Sequence, residues 1–198
     1  MNTLLSMVGC FLIAATIQNL LLTAGMGTAA MLKVMRRPRQ VVLFGQLLLA
    51  FSVVTTAVFY PLDKVLPVTW LFRMLRPFII VVITAVLYIV AVVLLARLFR
   101  ERYRRIRHLL PLAVFNNLVV GITLVINHQV SLGFFSALGL SAGAAVGFLV
   151  VSALTAEGVS RLDNPDIPAA FRGLPATLVY LGLLALALMG FSPVLNLI

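Results

Sequence analysis

The sequence has one cysteine, two histidines, one tryptophan and five acidic residues in 198 positions. A single thiol, Cys10, excludes an intrachain disulfide and any cysteine-rich metal motif. Charged residues are scarce too, at 10% of the chain, against about 25% in a soluble domain. That scarcity excludes an ordinary water-facing surface. The pattern offers no catalytic constellation and no metal site.

Apolar residues take up the space, at 63% of the chain with a mean hydropathy of +1.16. This is the composition of an integral membrane protein, whose elements are read against the bilayer. The net charge of +10 does not point to nucleic acid. The basic residues lie between apolar runs, as loop charges that orient a membrane protein. No charged side chain precedes Lys33. A signal peptide has a basic start and an apolar core of about 7–15 residues, so this longer run is read as a retained first span.

Six apolar segments follow one another, at about 3–32, 41–60, 77–96, 109–126, 130–155 and 174–195. Most have the roughly 20 residues a helix needs to cross the hydrocarbon. Alternate loops then share a side. One side carries Lys33, Arg36, Arg37, Arg39, Arg97, Arg100, Arg102, Arg104, Arg105, Arg107, Arg161 and Arg172; the other carries only Lys64, Arg73 and Arg76. Positive loops stay cytoplasmic, which predicts both termini outside. In the second loop, "VTWLFRMLRP" mixes Trp70, Leu71, Phe72 and Leu75 with Arg73 and Arg76. It reads either as a short interfacial helix ending where Pro77 opens the third span, or as a plain loop anchored by Trp70.

Two places in the apolar runs are polar. "TIQNLLLTAGMG" (16–27) and "VFNNLVVGITL" (114–124) each set an amide pair before aliphatic residues and then glycine. The pairs are Gln18-Asn19 and Asn116-Asn117. Three plus three spans would place a duplicated half upside down, with its special segments near the midplane on broken helices. The small residues of "AGMGTAA" (24–30) support a break in the first segment. The expected fold is therefore an all-α integral membrane protein and a single membrane domain, 1–198. It has six spans in two inverted three-helix repeats, about 1–98 and 107–198, with the first and fourth spans broken. Amides at a break can satisfy freed backbone groups. Gln18, Asn19, Asn116 and Asn117 are expected to tie the broken segments together. In "GLSAGAAVG", Gly139, Gly143 and Gly147 recur every four residues on one helix face and invite close backbone approach.

The C-terminal third carries a resemblance. "LSAGAAVGFLVVSAL", then Pro168, Phe171, Arg172 and Gly173, then Met189, Gly190, Phe191 and Ser192, are similar to the A subunit of the Rnf electron-transport complex. They are similar also to the E subunit of the Na⁺-translocating NADH:quinone oxidoreductase. "YPLD" (60–63), "YR" (103–104) and "LLPL" (109–112) fall where that family has like residues. The resemblance implies six spans in inverted halves in the bacterial cytoplasmic membrane. It implies a homologous partner subunit of opposite topology and neighbouring redox subunits. It also implies an iron–sulfur centre between the partners, with one cysteine from the first span and one from the fourth.

At those two positions this chain departs from the family. Ala29 stands at the first cysteine position and Asn117 at the second, beside Asn116, which matches a family asparagine. Cys10 lies too far along the first span to substitute. His108 and His128 are read as interfacial, Glu101 as paired with the arginines around it, and Glu157 as a helix-end carboxylate. A family-type [2Fe-2S] centre is therefore expected to be absent, because a methyl group and an amide supply no thiolate. The functional expectation is a membrane subunit of an Rnf- or Nqr-like ion-translocating complex, in a scaffold or coupling role. The alternative is a small inverted-repeat transporter or channel-like protein.

Overall fold

The computed structural model describes residues 2–16, 18–35, 38–65, 69–128, 132–161 and 168–190. Arg36, Arg37, Phe191 and Ser192, and the side chains of Arg39 and His128, lie outside the described residues. The described chain is helical, with ten α-helices and one 3₁₀ turn, Ala169–Phe171. The helices are α1 (Asn2–Ala15), α2 (Leu20–Ala24), α3 (Thr28–Val34), α4 (Pro38–Val65) and α5 (Trp70–Leu98). They continue with α6 (Arg100–Ile106), α7 (Leu110–Val114), α8 (Asn117–His128), α9 (Phe134–Arg161) and α10 (Leu174–Met189).

Three helices are long and apolar enough to cross a bilayer: α4, α5 and α9. A fourth span is reached if α6 is taken together with Leu110–Ile126, from which it bends by 68°. Thr3–Ala15 and Leu174–Met189 are shorter apolar helices. The first apolar segment is helical in three pieces, α1 to α3. Gly25 and Gly27, at φ +65° and +88°, make the turn between α2 and α3, a region that side-chain-bearing residues avoid.

Helix α9 occupies the centre. Of its apolar stretch 61% is buried, against 11% for α5. The cause lies in side-chain size. Gly139, Ser141, Gly143, Ala144, Ala145, Gly147 and Ser152 are all buried along it, so neighbouring backbones come close without displacing bulk. A β-carbon on Gly139 would strike the Met7 carbonyl, and one on Gly143 the Phe11 carbonyl; on Gly147 it would stand 2.7 Å from the Ala15 carbonyl. The partners on α1 repeat every four residues, as the glycines do. The close helix therefore belongs to the same chain. On the other side α9 meets α4, where Phe44 and Phe148 pack ring to ring at 5.6 Å and Ser52 donates to the Ser141 carbonyl at 3.4 Å.

The second loop differs from both sequence expectations. Trp70 opens one continuous helix that runs through Pro77 to Leu98. Pro77 stands inside the helix, where it removes the bond to the Arg73 carbonyl without ending the helix. The start of α5 is held to the end of α4 by a half-buried ion pair, Arg76 Nε to Asp63 Oδ1 at 3.0 Å. Nearby, Tyr60 donates its hydroxyl to the Leu132 carbonyl at 2.6 Å. Glu101 also departs from expectation. Among the described residues it forms no ion pair with the arginines beside it. On a solvated helix such a pair gains about 0–1 kcal/mol and does not hold two long side chains together.

Candidate functional site at the two helix breaks

The two polar pairs sit where helices are interrupted. Asn19 follows α1 and opens α2, with its own backbone extended at φ −66°, ψ 105°. Its Oδ1 accepts from the Leu21 N–H at 3.1 Å. Its Nδ2 reaches back to the Ala15 carbonyl at 3.5 Å. One buried amide thus serves both sides of the break, capping the first turn of α2 and the Ala15 carbonyl at the end of α1. Asn116 repeats the first half of this arrangement. Its Oδ1 accepts from the Leu118 N–H at 3.0 Å at the head of α8. Its Nδ2 is buried with no hydrogen-bond partner.

These contacts decide which member of each pair faces inward. Asn19 and Asn116 are 1% and 4% exposed, whereas Gln18 and Asn117 are exposed. The capping residue is the second of one pair and the first of the other. Pairing the amides by order in the sequence mismatches them, because the cap is set by backbone angles that composition does not carry. Nor do the amides bond to one another among the described residues. Asn19 and Asn116 each serve their own helix, since the nearest unsatisfied backbone groups are local ones.

The two breaks still meet. A β-carbon at Gly27 would stand 3.0 Å from Asn116 Oδ1 and 2.8 Å from the Phe148 ring. One at Gly147 would stand 2.8 Å from Asn19 Nδ2. Gly121 of α8 packs against the Met26 thioether. The Gly25–Gly27 turn therefore sits against α8 and α9, and the Asn19 cap against α9. Ala29 and Asn117, two residues and one residue beyond the contact between Gly27 and Asn116, are exposed. A methyl group and a carboxamide do not fit a thiolate-held cluster. Cys10, in α1, is half-buried. Among the described residues, no three His, Cys, Asp or Glu side chains converge.

The acidic candidate lies elsewhere. Glu157, in the last turns of α9, is exposed and holds Arg161 at 3.1 Å. It borders a groove of about 830 Å³ with Leu32, Met35, Leu149, Leu174 and Thr177. His108 is exposed, with Nε2 3.5 Å from Gln40 Nε2. Sequence reasoning missed the bare Asn116 nitrogen and the fit of α1 into α9. A run of small residues at positions 7, 11 and 15 would have signalled the second, but Met, Phe and Ala stand there, and it is their backbone that makes the contact.

Apolar spans interrupted at asparagine caps define an all-helical membrane protein. The chain belongs to a family described as "Rnf-Nqr subunit, membrane protein", whose model matches residues 7–195. Among its relatives is the A subunit of the ion-translocating oxidoreductase complex of Syntrophotalea carbinolica. It is 29% identical over 191 residues, 96% of each chain. The protein of the same description from Alcanivorax borkumensis is 40% identical over 95 residues, 48% of this chain and about half (49%) of that one. That from Pectobacterium carotovorum is 36% identical over 118 residues, 60% of this chain and 61% of that one.

Proposed function

We propose that this chain is an integral-membrane subunit of an ion-translocating oxidoreductase complex, serving as scaffold or coupling element without cluster ligands of its own. Membership of the Rnf-Nqr family along residues 7–195 carries the reading. In the proposed arrangement the chain crosses the bacterial cytoplasmic membrane six times, as two inverted halves with both termini outside. A homologous subunit of opposite topology and other redox subunits lie beside it. The unequal distribution of the basic residues supports the orientation. The two asparagine-capped breaks, brought together at Gly27 and Asn116, support the inverted halves.

Ala29 and Asn117 support the absence of a family-type [2Fe-2S] centre. Their side chains offer no thiolate, so two cysteines from a partner would leave the cluster two ligands short. The role left to this chain is mechanical: to hold neighbours in register while they carry electrons.

Affinity purification of the tagged chain from its native membrane tests this reading. The expected result is co-purification of flavin- or iron-bearing membrane subunits, with no iron in the isolated chain. Isolation of the chain alone from gently solubilised membranes, or stoichiometric iron bound to it, would overturn the proposal.

A further inference from the structure

The segment from Arg97 to Arg107 carries six arginines and one acid, Glu101. It stands directly after the apolar stretch of α5 and directly before Leu110–Ile126. Its helix, α6, is turned 68° from that following segment. If Leu110–Ile126 runs across the bilayer, α6 lies close to the membrane plane. No residue of α6 is buried.

The angular distribution of side chains around α6 is two-sided. Phe99, Tyr103 and Ile106 follow one another at four and three residues and share a face. Ile106 packs on the small cluster of Phe51, Leu110 and Val114, so this face is the one turned toward the protein and the apolar layer. Arg100, Arg104 and Arg107 line one flank of it, and Arg102 lines the other, over the Phe99 ring at 5.5 Å. Arg105 lies on the outward side with Glu101. Among the described residues, no carboxylate pairs with any of these arginines. Four guanidinium groups flanking an apolar stripe at the level of the lipid headgroups, with Arg105 and the single acid Glu101 on the outward side, form an anion-accepting surface.

We propose that α6 is a docking surface for anionic phospholipid headgroups, gripping them through Arg100, Arg104 and Arg107 along one flank. Charge complementarity selects the occupant. A zwitterionic headgroup carries no net charge to match, and a free phosphate lacks acyl chains to lie beside Phe99 and Tyr103. The surface would fasten the junction between α5 and α7 at a fixed depth in the leaflet.

The test uses the full chain in detergent, offered phosphatidylglycerol or phosphatidylcholine, with retained lipid counted by native mass spectrometry. The expected result is selective retention of phosphatidylglycerol. It should weaken about tenfold or more in Arg100→Gln/Arg104→Gln/Arg107→Gln and be kept when the same three become Lys. Salt provides a readout that needs no variant, since retention by the unaltered chain should fall as ionic strength rises. Equal retention of both lipids, salt-insensitive retention, or unchanged retention by the folded glutamine variant would overturn the proposal. So would displacement of the lipid by an equal concentration of inorganic phosphate. A glutamine variant that keeps its lipid but loses companion subunits would reassign the surface to a protein contact.

Discussion

Oδ1 of Asn116 rests against the backbone of Gly27, so near that a β-carbon on Gly27 would stand 3.0 Å from it. The contact joins the turn after α2 to the cap of α8, residues 89 positions apart in sequence. It leaves no space for a side chain at position 27, and the φ of +88° makes one costly in any case.

Gly27→Ala should therefore combine backbone strain with a collision against the Phe148 ring. Gly25→Ala meets strain alone, since nothing lies within 4 Å of a β-carbon there. Each should destabilise by about 1 kcal/mol or more from φ, with Gly27→Ala clearly the worse. Thermal unfolding of the two variants in detergent checks this. Equal losses would show that the contact with Asn116 and Phe148 carries no weight.

The α1–α9 seam makes a second expectation. Gly143→Ala puts a methyl group into the Phe11 carbonyl, whereas Gly182→Ala on α10 meets nothing within 4 Å. The first should lose several kcal/mol or fail to accumulate, as overpacking against backbone does. The second should be neutral or gain up to about 1 kcal/mol from helix propensity. Membrane yield and thermal stability, read side by side, decide it; indistinguishable variants would refute close packing at Gly143.

The two caps should differ in value. Replacing either Asn19 or Asn116 by Ala removes an N-cap bond worth about 0.5–2 kcal/mol. Asn19→Ala also strands the Ala15 carbonyl. Asn116→Ala removes a buried nitrogen that has no partner, which offsets part of its cost. Asn19→Ala is thus expected to be the more damaging in denaturation of the purified protein. The reverse order would mean that the Asn116 nitrogen is engaged in the intact protein.

Proximity of Ala29 and Asn117 can be measured directly. In a Cys10→Ala background, Ala29→Cys with Asn117→Cys should form a disulfide on mild oxidation if their Cα atoms lie within about 7 Å. Mobility on a non-reducing gel, after cleavage between the two, reports the link. If neither a disulfide nor bound added metal is obtained, these residues are not the counterparts of the cluster positions.

Much of this was legible in the residues, for physical reasons that differ by element. The membrane class follows from transfer energetics summed over long runs, which tolerate local error. The turn between α2 and α3 showed as glycines among small residues, and the seam on α9 as a four-residue glycine period. The identity of the seam's partner did not show, because α1 contributes carbonyls, and every residue has one. The extent of α5 was hidden by Pro77, which reads as a helix start but stands inside one. The inward members of the amide pairs were hidden because Asn19 and Gln18 are chemically alike and only backbone angles separate them.

The seam has a consequence for biosynthesis. Its two strips, residues 7–15 and 139–147, leave the ribosome far apart in time. At about 5–20 residues per second, the first helix is synthesised roughly ten seconds before its groove exists. During that interval the apolar face of α1 lacks the partner it has in the finished fold. A nascent chain stalled before residue 134 would hold all of α1 and none of α9. Such a chain would be the natural substrate for membrane quality control, whatever the stability of the finished protein.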